Sequence, residues 1–259
     1  MALASKPRLC TKRSIMTIEA FNTTHILTIV LMPILIFIAI SIVATKWDDK
    51  TKRFVLLLIC YFNAALYLVY KIVQVTDPSF EFRLFYHLPL HFCNINLILL
   101  PLAIHTGSKN LMAYQLYFGP PLAGLALITI YPAFLSRPLF EFLTFTYFFY
   151  HSMLFVLPFL LVRFKLFAPS FKNIWQPVLI LVGLTFFMHM VNIVFRATGL
   201  AAGANYFFTF GLDGDFFTEM LKRLVPYNFF FLLPSFVLFA PYVFFVTLPF
   251  HLSAARKKK

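Results

Sequence analysis

Residues 24–44 read THILTIVLMPILIFIAISIVA, with no Asp, Glu, Lys or Arg among them, and the run stops at Lys46-Trp47-Asp48-Asp49-Lys50. A helix rises about 1.5 Å per residue, so roughly 20 apolar residues cross the ~30 Å hydrocarbon core of a bilayer. The stretch therefore reads as a membrane crossing. Its length, its charged end and the lack of a small-residue cleavage site mark a retained anchor rather than a removable signal peptide. Six further windows of the same kind follow, near Phe54–Val73, Phe85–His105, Leu111–Phe134, Leu139–Val162, Pro177–Ala197 and Tyr227–His251.

Composition agrees with the windows. Of the 259 residues, 61% are hydrophobic and 12% charged, whereas soluble domains carry roughly 45–50% and about a quarter. A soluble enzyme and a disordered chain are both excluded. The expectation is all-α: a polytopic transmembrane helix bundle of about seven spans, residues 1–259 forming a single integral membrane domain. The Gly119-Pro120-Pro121 stretch, followed by Gly124, is expected to break or kink the fourth span. The longest connection, residues 198–226, carries Gly199, Gly203, Gly211 and Asp213-Gly214-Asp215 and reads as a lid-like loop. Trp47, Tyr114, Trp175, Tyr227 and Tyr242 near span ends suit an interfacial aromatic belt.

The formal charge of +13 comes from 22 Lys and Arg against 9 Asp and Glu. These basic residues lie between apolar runs, where they meet lipid headgroups, and form no stripe interleaved with aromatics. The expected partners are thus membrane lipids, with no nucleic acid and no soluble partner, and the expected location is the cell membrane. Cys10, Cys60 and Cys93 are too scattered for a disulfide framework and read as free thiols. Seven spans put the termini on opposite faces. Setting aside the basic residues before Met16, the positive-inside rule favours an external N-terminus and an internal Arg256–Lys259 tail.

Polar side chains inside such spans are costly and point to function. His87, His91, Cys93, Asn94 and Asn96 fall in the third span, Thr144, Thr146, His151 and Ser152 in the fifth, and His189, Asn192 and Arg196 in the sixth, with Asn63 in the second. Counting the helical rise from one face places Cys93 and His189 about 12 Å deep and His151 about 18 Å deep, in the half the lid would cover. At 100° per residue His87, His91 and Asn94 share one face and Cys93 another, so a base for Cys93 is expected from another helix, His151 or His189. An imidazole that removes a thiol proton makes a nucleophile suited to acyl transfer, and Asn94, Asn192 or Arg196 are donors for the oxyanion.

The segment His87-Leu88-Pro89-Leu90-His91-Phe92-Cys93-Asn94-Ile95-Asn96, with Leu99-Leu100-Pro101-Leu102 after it, resembles the L-P-L-H-x-C signature of the YwaF family of bacterial integral membrane proteins. The likeness continues through Tyr150-His151-Ser152, His189 and Asn205-Tyr206. That family extends to animal transmembrane acyltransferases of ether phospholipids and is distantly similar to intramembrane ester hydrolases. The resemblance implies Cys93 as nucleophile and His151 as its partner, and His91, Asn94, His189, Asn192, Arg196, Asn205 and Tyr206 are expected around the substrate. The chain departs from the family after Asn205-Tyr206, where Phe207-Phe208-Thr209 stands in place of a Lys-Pro element. No cofactor and no metal is expected. Two other readings remain: a non-catalytic transporter or lipid-binding protein with a polar pathway, and a metal site on His87, His91 and one of His151 or His189.

Overall fold

Asn22 opens the first helix by accepting a hydrogen bond from the His25 amide at 2.8 Å, and α1 runs Thr23–Val43. Asp48 does the same for α2, Asp49–Thr76, accepting from the Thr51 amide at 3.1 Å. Its bonds with Thr51 hold the Asp48 carboxyl below the usual carboxylate range. The chain continues through α3 Phe92–Thr106, α4 Lys109–Thr129, α5 Phe142–Arg163, α6 Trp175–Ala197, α7 Phe216–Leu224, α8 Leu233–Val237 and α9 Phe239–Arg256. The computed structural model describes residues 16–77, 83–86, 88–129, 136–172, 174–211 and 216–256. Cys10, His87, the 130–134 end of the fourth window, Asp213, Gly214, Asp215 and the 257–259 tail lie outside the described residues.

Six stretches are long and apolar enough to cross a bilayer, residues 23–46, 49–76, 109–129, 142–163, 175–197 and 230–253, and α3 is a shorter apolar helix. The protein is a polytopic helix bundle, with no strand among the described residues. Its outer helices turn apolar side chains outward, as Ile34, Leu35, Ile38 and Ile42 do on α1, which is what a lipid solvent permits. The most enclosed helix is α5, which packs on α1, α2, α3 and α4. It carries the buried polar Thr144, Thr146, His151 and Ser152 at the centre of the bundle. Arg137 ties its start to the end of α2, pairing with Glu141 at 2.6 Å and Asp77 at 3.5 Å.

Three expectations are corrected. The third span is helical only from Phe92, with His91 in the N-cap position and a short 3-10 turn at Leu84–Tyr86 before it. His91 and Asn94 therefore do not share a helical face, because His91 precedes the helix, and His87 lies outside the described residues. The Gly119-Pro120-Pro121 stretch does not interrupt α4, which runs unbroken through both prolines. Pro120 has no N–H for the Leu116 carbonyl four residues back, and the Tyr242 hydroxyl of α9 donates to that carbonyl at 2.9 Å instead. Finally, Tyr114 is wholly buried and Tyr242 half-buried in the bundle, not in an interfacial belt, whereas Trp175 and Tyr227 are exposed as a belt requires.

The end of α4 is closed from the side. Its carbonyls at Ala126 and Leu127 accept from the Tyr147 hydroxyl at 2.7 Å and from His25 Nε2 at 2.8 Å. Since His25 Nδ1 accepts from the Phe21 amide at 3.1 Å, this ring is neutral and structural.

Candidate functional site

Two groups of polar residues emerge. The first holds a strap, residues 201–211, across the end of α6. Asn192 grips the strap at Tyr206, accepting from its amide and donating to its carbonyl, each at 2.8 Å, and donates to Thr209 Oγ1 at 2.9 Å. Thr209 Oγ1 also lies within hydrogen-bond distance of His189 Nδ1, at 3.0 Å, the direction of that bond being set by the ring tautomer. Arg196 Nε donates to the Ala204 carbonyl at 2.7 Å, and Asn205 closes the strap on itself through the Phe210 amide and the Gly211 carbonyl. The Tyr206 hydroxyl reaches the Phe85 carbonyl, and its ring lies 5.3 Å from that of His91. Residues 198–226, read from sequence as an irregular loop, thus contain an anchored strap with a 3-10 turn at Tyr206–Phe208 and then α7.

The strap is under strain. Phe207 and Phe208 have φ of 59° and 53°, and two successive left-handed residues without glycine cost about 1–2 kcal/mol each. The clamps from Asn192, Arg196 and Asn205 offset that cost, and they engage the side-chain amides of Asn192 and Asn205 and the Nε of Arg196 with the strap. Asn94 differs: it is half-buried, and its side chain makes no hydrogen bond among the described residues.

The second group centres on α2, α3 and α5. Cys93, in the first turn of α3, is partly buried against a cluster that includes Tyr67, Tyr70, Leu97, Ala123, Tyr147 and Tyr150. The His151 ring lies against the same two α5 tyrosines, with centroids 4.4 Å from Tyr147 and 4.0 Å from Tyr150. Its Nδ1 sits 2.8 Å from the Tyr147 carbonyl. A carbonyl only accepts, so Nδ1 carries the ring proton and Nε2 keeps a free lone pair.

Sequence reading passed over the tyrosines. Tyr67 and Tyr114 bury hydroxyls with no hydrogen-bond partner, as Ser152 and Thr144 do, and the phenols of Tyr67, Tyr114 and Tyr150 lie within electrostatic range of Cys93. Buried polar atoms are nearly always paired, so a cluster of unpaired ones marks a place built for something else. Lys71 stands beside it, bonded to Gln74 at 2.9 Å with its ammonium 5.7 Å from the ring centres of Tyr67 and Tyr70. The signal was in the sequence, since Tyr67, Tyr70 and Lys71 share a helical face at i, i+3 and i+4. Among the described residues no three His, Cys, Asp or Glu come together to hold a metal ion, and His87 of the metal reading lies outside them.

Fold and site together define a multi-pass membrane protein with a polar, tyrosine-lined interior next to a strained strap. The chain belongs to the TMEM164 family, whose model matches residues 20–246. No curated protein and no solved structure matches it.

Proposed function

We propose that the chain is an acyl-transfer enzyme of lipids, embedded in the cell membrane, with Cys93 as nucleophile and His151 as its base. The observation that carries this reading is the His151 Nδ1 bond to the Tyr147 carbonyl, which sets the tautomer a general base needs, on the aromatic cluster that also packs against Cys93. The likeness of residues 87–102 to the YwaF signature supports it further.

In the proposed cycle His151 Nε2 takes the Cys93 thiol proton and the thiolate adds to an ester carbonyl of a donor lipid. The oxyanion takes hydrogen bonds from the unpartnered Tyr114 or Tyr67 hydroxyl, or from Asn94. Collapse expels the donor's alcohol, which leaves with the proton from His151, and a thioester remains on Cys93. The hydroxyl of a second lipid then attacks, giving its proton to His151. Expulsion of the Cys93 thiolate completes the new ester, and the thiolate regains its proton from His151. The apolar walls exclude water, which favours transfer over hydrolysis.

The test uses purified full-length chain in lipid nanodiscs, a phospholipid with a labelled acyl chain and a lysophospholipid acceptor. Wild type is expected to move label to the acceptor and to carry a hydroxylamine-sensitive acyl group on Cys93. Cys93→Ala and His151→Ala are expected to lose roughly 10³-fold or more of the rate while still inserting. Full activity in both variants would sink the proposal. The alternative, a non-catalytic lipid carrier, draws on the same unpaired hydroxyls as a polar pathway, and binding that survives Cys93→Ser with no adduct would favour it.

A further inference from the structure

Beside the strap lies a cavity of about 520 Å³ lined by Arg196, Asn205, Phe210, Gly211, Lys222 and Asn228. Its two cations are half-buried, and among the described residues neither meets a carboxylate. Arg196 spends only Nε, on the Ala204 carbonyl, and its guanidinium carbon rests 4.0 Å from the Phe210 ring centre, so both Nη groups are left to donate. Lys222 Nζ lies 5.6 Å from the ring centre of Phe231. Gly211, at φ +83°, makes room for that amine: a Cβ there would come within 2.8 Å of Nζ and 2.7 Å of Cε. Aromatic faces steady a cation without cancelling its charge, so the cavity keeps two positive charges in a partly desolvated place. Asp213 and Asp215 follow Gly211 in the sequence and lie outside the described residues.

We infer that this cavity binds a phosphate group, with Arg196 and Lys222 as its charge partners and the exposed amide of Asn228 as a neutral donor. A guanidinium fork and a separate ammonium suit a tetrahedral anion with several oxygens, and two cations match its charge. The volume falls within the range of small-molecule pockets and far exceeds the ~30 Å³ of a water, which leaves room for the atoms beyond a phosphodiester. The cavity lies at the C-terminal end of α6, the level at which a phospholipid headgroup meets a bundle. Binding here does not call on Cys93, so the inference goes beyond acyl transfer and stands or falls separately.

The experiment uses full-length chain carrying Cys93→Ala, held in phosphate-free maltoside micelles. The probes are fluorescent phosphatidylglycerol and fluorescent diacylglycerol with the same acyl chains. Phosphatidylglycerol is expected to bind at least about tenfold more tightly, and Lys222→Gln to erase about tenfold of that preference, the size of a lost charged hydrogen bond. Arg196→Gln should do the same, but it also frees the Ala204 carbonyl, so Lys222→Gln with unchanged thermal stability is the deciding variant. Displacement by millimolar inorganic phosphate would identify the free ion as ligand, whereas resistance to it would identify the headgroup. Equal binding of the two lipids, or a preference untouched by Lys222→Gln, overturns the inference.

Discussion

A hydroxyl without a partner distinguishes structural from functional burial. Tyr114 is fully buried and its hydroxyl meets no donor or acceptor. An unsatisfied buried polar group costs about 1–3 kcal/mol, so Tyr114→Phe is expected to hold or raise the unfolding temperature. If that hydroxyl serves a developing oxyanion, the same substitution should lower acyl transfer by about 10²–10³-fold. Thermal unfolding and transfer rate measured on one preparation check both halves, and a loss of stability together with activity would make Tyr114 a packing residue. Sequence pattern pointed to Cys93 and to His151 or His189 because ionisable groups in apolar runs stand out, and the YwaF resemblance selected His151. Tyr114 did not stand out, since a tyrosine five residues into a helix reads as an interfacial anchor until its burial is known. The roles of Asn192 and Arg196 were hidden for a related reason: what engages them is backbone of the strap, and backbone carries no sequence signal.

Helices here are closed by partners from other helices, and α4 and α9 give the cleanest case. Tyr242→Phe should strip the Leu116 carbonyl of the donor that α9 supplies and cost about 1–3 kcal/mol. Pro120→Ala restores an N–H to that carbonyl, so in the double variant the cost of Tyr242→Phe should largely vanish. A double-mutant cycle by thermal or denaturant unfolding reads the coupling, and additive effects would refute the link. The strap offers a parallel test. Asn192→Ala leaves the Tyr206 amide and carbonyl without side-chain partners, at about 1–3 kcal/mol for each buried group unpaired, while the strained Phe207-Phe208 backbone remains. Limited proteolysis within residues 198–211 should quicken, and cleavage as slow as in wild type would show that the strap is held by its aromatic contacts alone. The strap also explains why the third span begins later than its apolar run. Phe85, Leu88, Leu90 and Phe92 are covered by Phe195, Tyr206 and Phe207, and non-helical backbone at membrane depth is tolerated where protein covers it. Hydropathy averages over such a segment and cannot see the cover.

Six of the seven apolar runs were legible as spans because lipid demands about 20 apolar residues per helix, and they are matched by helices of that length. What hydropathy could not fix is whether the 15-residue α3, about 22 Å long, carries the chain across. Its packing along α2 supports a crossing. At one end Arg53, in the first turns of α2, donates to the carbonyls of Ile104 and His105 at the end of α3, the latter at 2.8 Å. At the other end Lys71, near the end of α2, lies within electrostatic range of His91 at the start of α3. The two helices therefore run antiparallel over nearly their whole common length, and the non-helical residues before Phe92 cover the remaining depth. Seven crossings would place the described ends, Met16 and Arg256, on opposite faces. Single-cysteine reporters at the two ends, introduced after Cys10, Cys60 and Cys93 are replaced by alanine, should react with an impermeant maleimide on opposite sides of sealed vesicles. Labelling of both ends from one side would mean that α3 turns back within the membrane, and Cys93 would then open toward a different leaflet from the strap.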